Sequence, residues 1–131
     1  MKNKFFKSIL LAGMMIILSG STVLGASLGD WILPRGSFSA THPTALTKSE
    51  SYKDGYIRLS SVTDNRIIFA RMKNKSSGAS LIGAYKRIDK VSTTYNLPHG
   101  DILSGSKAYL EAYAANGNVH RTTVRGSWGC N

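Results

Sequence analysis

From residue 54 onward, apolar and polar side chains alternate with a period of two. No stretch repeats apolar residues at i, i+3, i+4 and i+7 over three turns, so the pattern predicts strands rather than helices. DGYIRLSSV (54–62) reads as a turn and a strand, with Ile57 and Leu59 on one face and Tyr56 and Arg58 on the other. DNRIIFARMK (64–73) reads the same way, setting Ile68, Ala70 and Met72 against Ile67, Phe69 and Arg71. ASLIGAYKRI (79–88) predicts a third strand and KVSTTYNL (90–97) a fourth, separated by the turn chemistry of NKSSG (74–78) and followed by that of PHGD (98–101). Residues 27–55 read as irregular, punctuated by Pro34 and Pro43, with a short strand at Ser37–Thr41.

The last apolar runs lie in KAYLEAYAANGNVHRTTVRGSW (107–128). Asn116-Gly117 readily takes the left-handed angles of a type I′ turn, and a two-residue hairpin is expected there. It would pair Ala114 with Val119, Tyr113 with His120, Glu111 with Thr122 and Tyr109 with Val124. One face would carry Tyr109, Tyr113 and Val124, the other Leu110, Ala112, Ala114 and Val119. Both faces are partly apolar, which suits two packed layers. The predicted fold class is all-β, a small antiparallel β-sandwich. RGSF (35–38) and RGSW (125–128) echo each other, but four positions are too few to define a repeat.

GYIRLSSV, KNKSSGAS, LSGSKAYLEAY and TVRGSW resemble a group of small secreted all-β proteins of Gram-positive bacteria. Their common features are a signal peptide, a Ser/Thr-rich sheet and a C-terminal Gly-x-Trp strand. The resemblance spans roughly Ser51 to Trp128 and implies architecture and export. It carries over no catalytic residue, and the ending Gly129-Cys130-Asn131 departs from the family's pattern.

Ahead of the alternating region the pattern is different. Lys2, Lys4 and Lys7 precede an apolar run from Ile9 to Leu18, followed by the small residues Ser19 to Ala26. This is the layout of a secretory signal peptide. The apolar run is about half the ~20 residues a spanning helix needs, so no transmembrane segment is expected after processing. Leu18-Ser19-Gly20 is followed by Ser21 rather than cysteine, which excludes a lipoprotein thioether. Cleavage is expected after Ala26, leaving Ser27 as the first residue, or one position earlier. The expected division is a signal peptide at 1–26 and a secreted bacterial domain at 27–131, with an irregular part at 27–55 and a sheet core at 56–128.

The whole chain carries 17 Lys+Arg against seven Asp+Glu. The expected signal holds three of the lysines and no acid, so residues 27–131 keep a net charge of +7. Outside a cell that field attracts polyanions and also keeps a protein soluble. Cys130 is the only cysteine; an odd thiol in a secreted chain suggests a disulfide-linked dimer or an exposed tail thiol.

Candidate chemistry is sparse. His42, His99 and His120 stand at no metal-ligand spacing, and neither a metal nor a cofactor is expected. Four of the seven acids, Asp54, Asp64, Asp89 and Asp101, fall in turns, where aspartate bonds its own backbone. Glu111 is mid-strand, and in the expected register it lies near His120 and Tyr113, as an acid–base trio or a solvated polar cluster. No nucleophile elbow or phosphate-cradling loop is present. The basic residues are more suggestive. Arg71, Lys73 and Lys75 leave one strand end, Lys86 and Arg87 close the next, and Arg121 and Arg125 share a face of the last, with Tyr52, Tyr56, Tyr85 and Tyr95 interleaved. Such sets bind polyanions by charge and stacking, or blunt strand edges against aggregation. The expected function is non-catalytic binding to an anionic envelope polymer or anionic lipid surface, not to a specific nucleic acid. The alternatives are a bacteriocin-like antimicrobial or factor acting on neighbouring cells, and a small hydrolase.

Overall fold

The computed structural model describes residues 25–74, 82–115 and 120–131. They form two antiparallel sheets packed face to face. The first sheet contains β1 (Ala26–Ser27), β2 (Trp31–Leu33), β5 (Gly55–Val62), β8 (Thr94–Leu97) and β10 (Thr122–Gly129). The second contains β3 (Ala40–Thr41), β4 (Leu46–Thr47), β6 (Ile68–Lys73), β7 (Lys86–Ile88) and β9 (Lys107–Ala114). Each has four positions across, and in each the first edge is shared by two short strands. β1 and β2 lie along β10, β3 and β4 along β9. β10 then pairs with β5 and β5 with β8, while β9 pairs with β6 and β6 with β7.

The period-two pattern decides which side chains meet between the layers. Ile57 and Leu59 of β5, Ile68, Ala70 and Met72 of β6, and Leu110, Ala112 and Ala114 of β9 point inward. They pack with Leu33, Ile88, Leu97, Ile102, Val124 and Trp128 in one cluster. The expected strands at 54–62 and 64–73 stand with the expected faces. The third is shorter than expected: the described part of 79–88 contributes β7 and an isolated bridge from Ile82 to Lys73. Residues 27–55 are not irregular throughout, since they supply β2, β3 and β4 and half of β1. These pieces are too short to announce themselves by alternation. Pro43, which lacks an N–H, separates β3 from β4.

The expected β9–β10 hairpin is not formed. β9 and β10 lie in opposite sheets, each a central strand with partners on both sides. Glu111 faces Arg71 and Thr41, not Thr122; Val124 faces Val62 and Trp31, not Tyr109. Each strand turns its apolar residues, Leu110, Ala112 and Ala114 in β9 and Val124 and Trp128 in β10, into the core between the layers. Asn116-Gly117 itself lies outside the described residues, within the connection that crosses between the layers.

Two groups fasten the layers. His42, buried between β3 and β4, places Nε2 3.1 Å from the carbonyl of Leu28, between β1 and β2, and accepts from the Thr44 amide at Nδ1 (3.2 Å). Its ring meets Trp31 edge-on. At one end of the sandwich, buried Lys48 donates from Nζ to the carbonyl oxygens of Lys53, Cys130 (2.8 Å) and Asn131 (3.0 Å). Desolvation pulls the Lys48 pKa below that of an ordinary lysine against the pull of nearby negative groups.

Candidate functional site

The topology gathers four connections at the end of the sandwich away from Lys48. The segment 34–39 leaves β2 beside Thr122 and enters β3 beside Ala112. A 3-10 turn at Thr63–Asn65 links β5 to β6, residues 89–93 link β7 to β8, and 115–121 link β9 to β10. They bring Arg35, Arg66, Lys90 and Arg121 to one end, with Arg87 on the adjoining strand, against the carboxylates Asp64 and Asp89. Among the described residues, the opposite end balances Lys48, Lys53 and Lys107 with Glu50, Asp54 and Asp101. The charge of the described residues is therefore polarised, a property of the folding and not of the composition.

Arg66 organises the cationic end. Its guanidinium donates to the His120 carbonyl (3.1 Å) and to Thr122 Oγ1 (2.8 Å), and pairs with Asp64 at 3.3 Å. Beside it, a cleft of about 370 Å3 is lined by the apolar Val62, Ile88 and Val91 and by the charged Arg66, Asp89 and Lys90. Three non-glycine residues hold left-handed backbone angles around it: Asp64 (φ 54°), Asn65 (φ 49°) and Ser92 (φ 56°). Residues in that region persist only where their surroundings hold them, and they concentrate at functional sites. Asp89 accepts from the Tyr95 hydroxyl at 2.8 Å and lies 3.6 Å from Arg87. The bond from Tyr95 holds the Asp89 carboxyl below its ordinary pKa and raises that of the phenol.

A second polar cluster lies on the outer face of the β6–β9 sheet. Glu111, only 7% exposed, receives Arg71 Nε (2.7 Å) and the Tyr85 hydroxyl (2.8 Å) at Oε1, and Lys73 Nζ (2.6 Å) at Oε2. The Arg71 guanidinium also lies 4.2 Å over the Tyr85 ring, and Tyr113 stacks on Phe69 and meets Tyr85 edge-on. Burial raises the pKa of the Glu111 carboxyl, but the bonds from Lys73, Tyr85 and Arg71 outweigh it, and the net position is below the ordinary range. Burial and the bond to Glu111 push the Tyr85 phenol up to about 12. A carboxylate whose oxygens are both occupied by cations is a poor proton shuttle. The trio of Glu111, His120 and Tyr113 is not assembled: His120 is an exposed residue just before β10 in the opposite sheet.

The seven basic residues singled out in the sequence do not form one patch. Arg71 and Lys73 are not free at a strand end but are paired with Glu111, and Lys73 is only 6% exposed. Alternation placed them correctly on the outer face; it carried no sign of the carboxylate waiting there. Lys75 lies outside the described residues. Lys86 and Arg87 stand on edge strand β7, Arg87 beside Asp89. Arg125 is exposed and paired with Asp30, between β1 and β2 of its own sheet, and Arg121 is exposed at the cationic end. Sequence reasoning missed Arg66 and Lys48, for which no local signal exists.

Cys130 is also corrected. It is 4% exposed and part of the core, not an accessible tail thiol. Burial raises its pKa against the opposing charge of Lys48. Among the described residues no group of three or more His, Cys, Asp or Glu gathers, and no helix is long and apolar enough to cross a membrane. Fold and surface define a small antiparallel β-sandwich with one cationic end. Comparison with family models, curated proteins and solved structures finds no match.

Proposed function

We propose that the protein is exported by a bacterium and binds an anionic envelope or extracellular polymer through one end of its sandwich, without catalysis. The observation that carries this is the polarity of charge. Among the described residues, five cations face two carboxylates at the end where 34–39, 63–66 and 89–93 lie beside Arg121, whereas those at the other end are balanced. Arg35, Lys90 and Arg121 have no carboxylate within ion-pair distance among the described residues, so their charge is available to a ligand. A field of one sign at one end raises local polyanion concentration and orients the encounter. The acidic side chains are engaged in ion pairs or backbone bonds at Glu111, Asp89 and Asp54, which favours binding over acid–base work.

The test is binding of purified residues 26–131 to teichoic acid at two salt concentrations. Screening shortens from about 8 Å at physiological ionic strength to about 3 Å at 1 M, so binding should be strong at low salt and largely lost at high salt. Absence of binding at low salt would remove the reading.

A further inference from the structure

The cleft at the cationic end combines three features that net charge does not require. Its floor is apolar: Ile88 is a core residue, Val62 packs against the core, and Val91 stands 38% exposed at the mouth. Its mouth is positive. Asp89 is engaged by Tyr95 at one oxygen and faces Arg87 at the other, while Lys90 has no carboxylate within ion-pair distance among the described residues. Arg66 is fixed by Asp64, Thr122 and the His120 carbonyl, so it presents a rigid wall. Its rim is held by the left-handed Asp64, Asn65 and Ser92, and the Ser92 amide is anchored on the Leu59 carbonyl at 2.7 Å.

We infer that this cleft binds a small amphiphilic anion: a short alkyl chain lodged against Val62, Ile88 and Val91, with a phosphate or carboxylate head at Lys90. About 370 Å3 lies within the ~300–1,000 Å3 of small-molecule sites, which are mostly apolar with a few placed polar groups. The chain gains by leaving water. The head gains a charge-assisted bond from the ammonium, which a neutral head does not. The site stands on the cleft rather than on the polymer reading and is separable from it.

The experiment titrates the protein with octyl phosphate and octanoate, both below micelle formation, and with inorganic phosphate and octanol. Binding is read by calorimetry and amide NMR shifts. At least one amphiphilic anion should bind ten times more tightly than inorganic phosphate or octanol, with shifts confined to residues 62–66 and 88–93; comparing the two anions identifies the preferred head. Lys90→Gln should weaken the anion about tenfold and leave octanol unchanged. Val91→Asp should abolish anion binding. Both residues are exposed, and an unchanged amide spectrum elsewhere checks the fold. Failure of both anions to bind, equal binding of octanol, or shifts mapping elsewhere overturns the inference. Anionic vesicles bound without either monomeric anion would overturn it too. Loss of octyl phosphate binding in Val91→Asp with teichoic acid binding retained supports a site distinct from the polymer surface, whereas teichoic acid failing while octyl phosphate binds sinks the polymer reading alone.

Discussion

Glu111 is the residue on which the outer face of the second sheet depends. Removing it leaves Lys73, nearly inaccessible, without its counter-charge. Breaking a buried pair on one side costs about 3 kcal/mol or more, so Glu111→Ala should lower the urea midpoint by a corresponding amount. The same carboxyl contributes to acid stability. Its pKa is lowered on folding, so its contribution is present above the ordinary value of 4.5 and lost as pH falls through the lower folded value. Glu111→Gln should flatten that acid limb in urea titrations at stepped pH. Tyr85 works at the other end of the scale. Its pKa rises from 10.0 to about 12 on folding, so its contribution is present below pH 10.0 and lost as pH rises through about 12. An ultraviolet titration should show a late-ionising tyrosine that Tyr85→Phe removes. Cys130, buried with a raised pKa, should react with a thiol reagent only as fast as its segment opens. Fast labelling in the native state would show that the tail is not docked.

Elements are set here by close approaches and by edges. In β10 the pairing with β5 shifts register between Arg125 and Gly126, and the extra residue on β5 is Ser60, a β-bulge. Gly126 sits at φ 153°, and a Cβ there would come within 2.2 Å of the Arg58 carbonyl oxygen. Gly126→Ala must push two central strands apart and should cost at least ~2 kcal/mol in a thermal or urea melt. A loss below a few tenths would mean that the bulge relaxes freely. β1 bears on processing. Ala26 pairs with Trp128 and Ser27 with Ser127, so cleavage after Ala26 would remove half of that strand, while cleavage after Gly25 keeps it. Intact mass of exported protein should therefore show a chain beginning at Ala26; one beginning at Ser27 would mean that the pairing is dispensable.

For the molecule as a whole, the separation of charge by ends makes the two ends distinguishable. Arg35→Gln with Arg121→Gln removes two cations from the cationic end without touching the cleft lining. Lys53→Gln with Lys107→Gln removes the same charge from the balanced end. At physiological ionic strength the first pair should weaken teichoic acid binding by at least tenfold and the second by less than threefold, because attraction between exposed charges fades beyond a Debye length of about 8 Å. Equal losses in a sedimentation binding assay would mean that only net charge matters.

The period-two alternation was enough to determine strands at 55–62 and 68–73 and which of their side chains face the core, because a strand's two faces are written in consecutive residues. The alternation of 107–114 likewise set Leu110, Ala112 and Ala114 on one face, and burying that face required a second layer. Three things were decided only in three dimensions. Which strands pair was one: Asn-Gly between two alternating runs is a local preference, and burial of two apolar faces across the sandwich overrode the side-by-side hairpin. The fate of charges was another, since Arg71 and Lys73 read as free cations until β9 laid Glu111 between them, some 40 residues along the chain. The third was the cleft. Val62 and Arg66 flank one turn, but Lys90 follows β7 more than twenty residues later, and it joins them because two separate connections meet at that end; no spacing in the sequence encodes such a meeting.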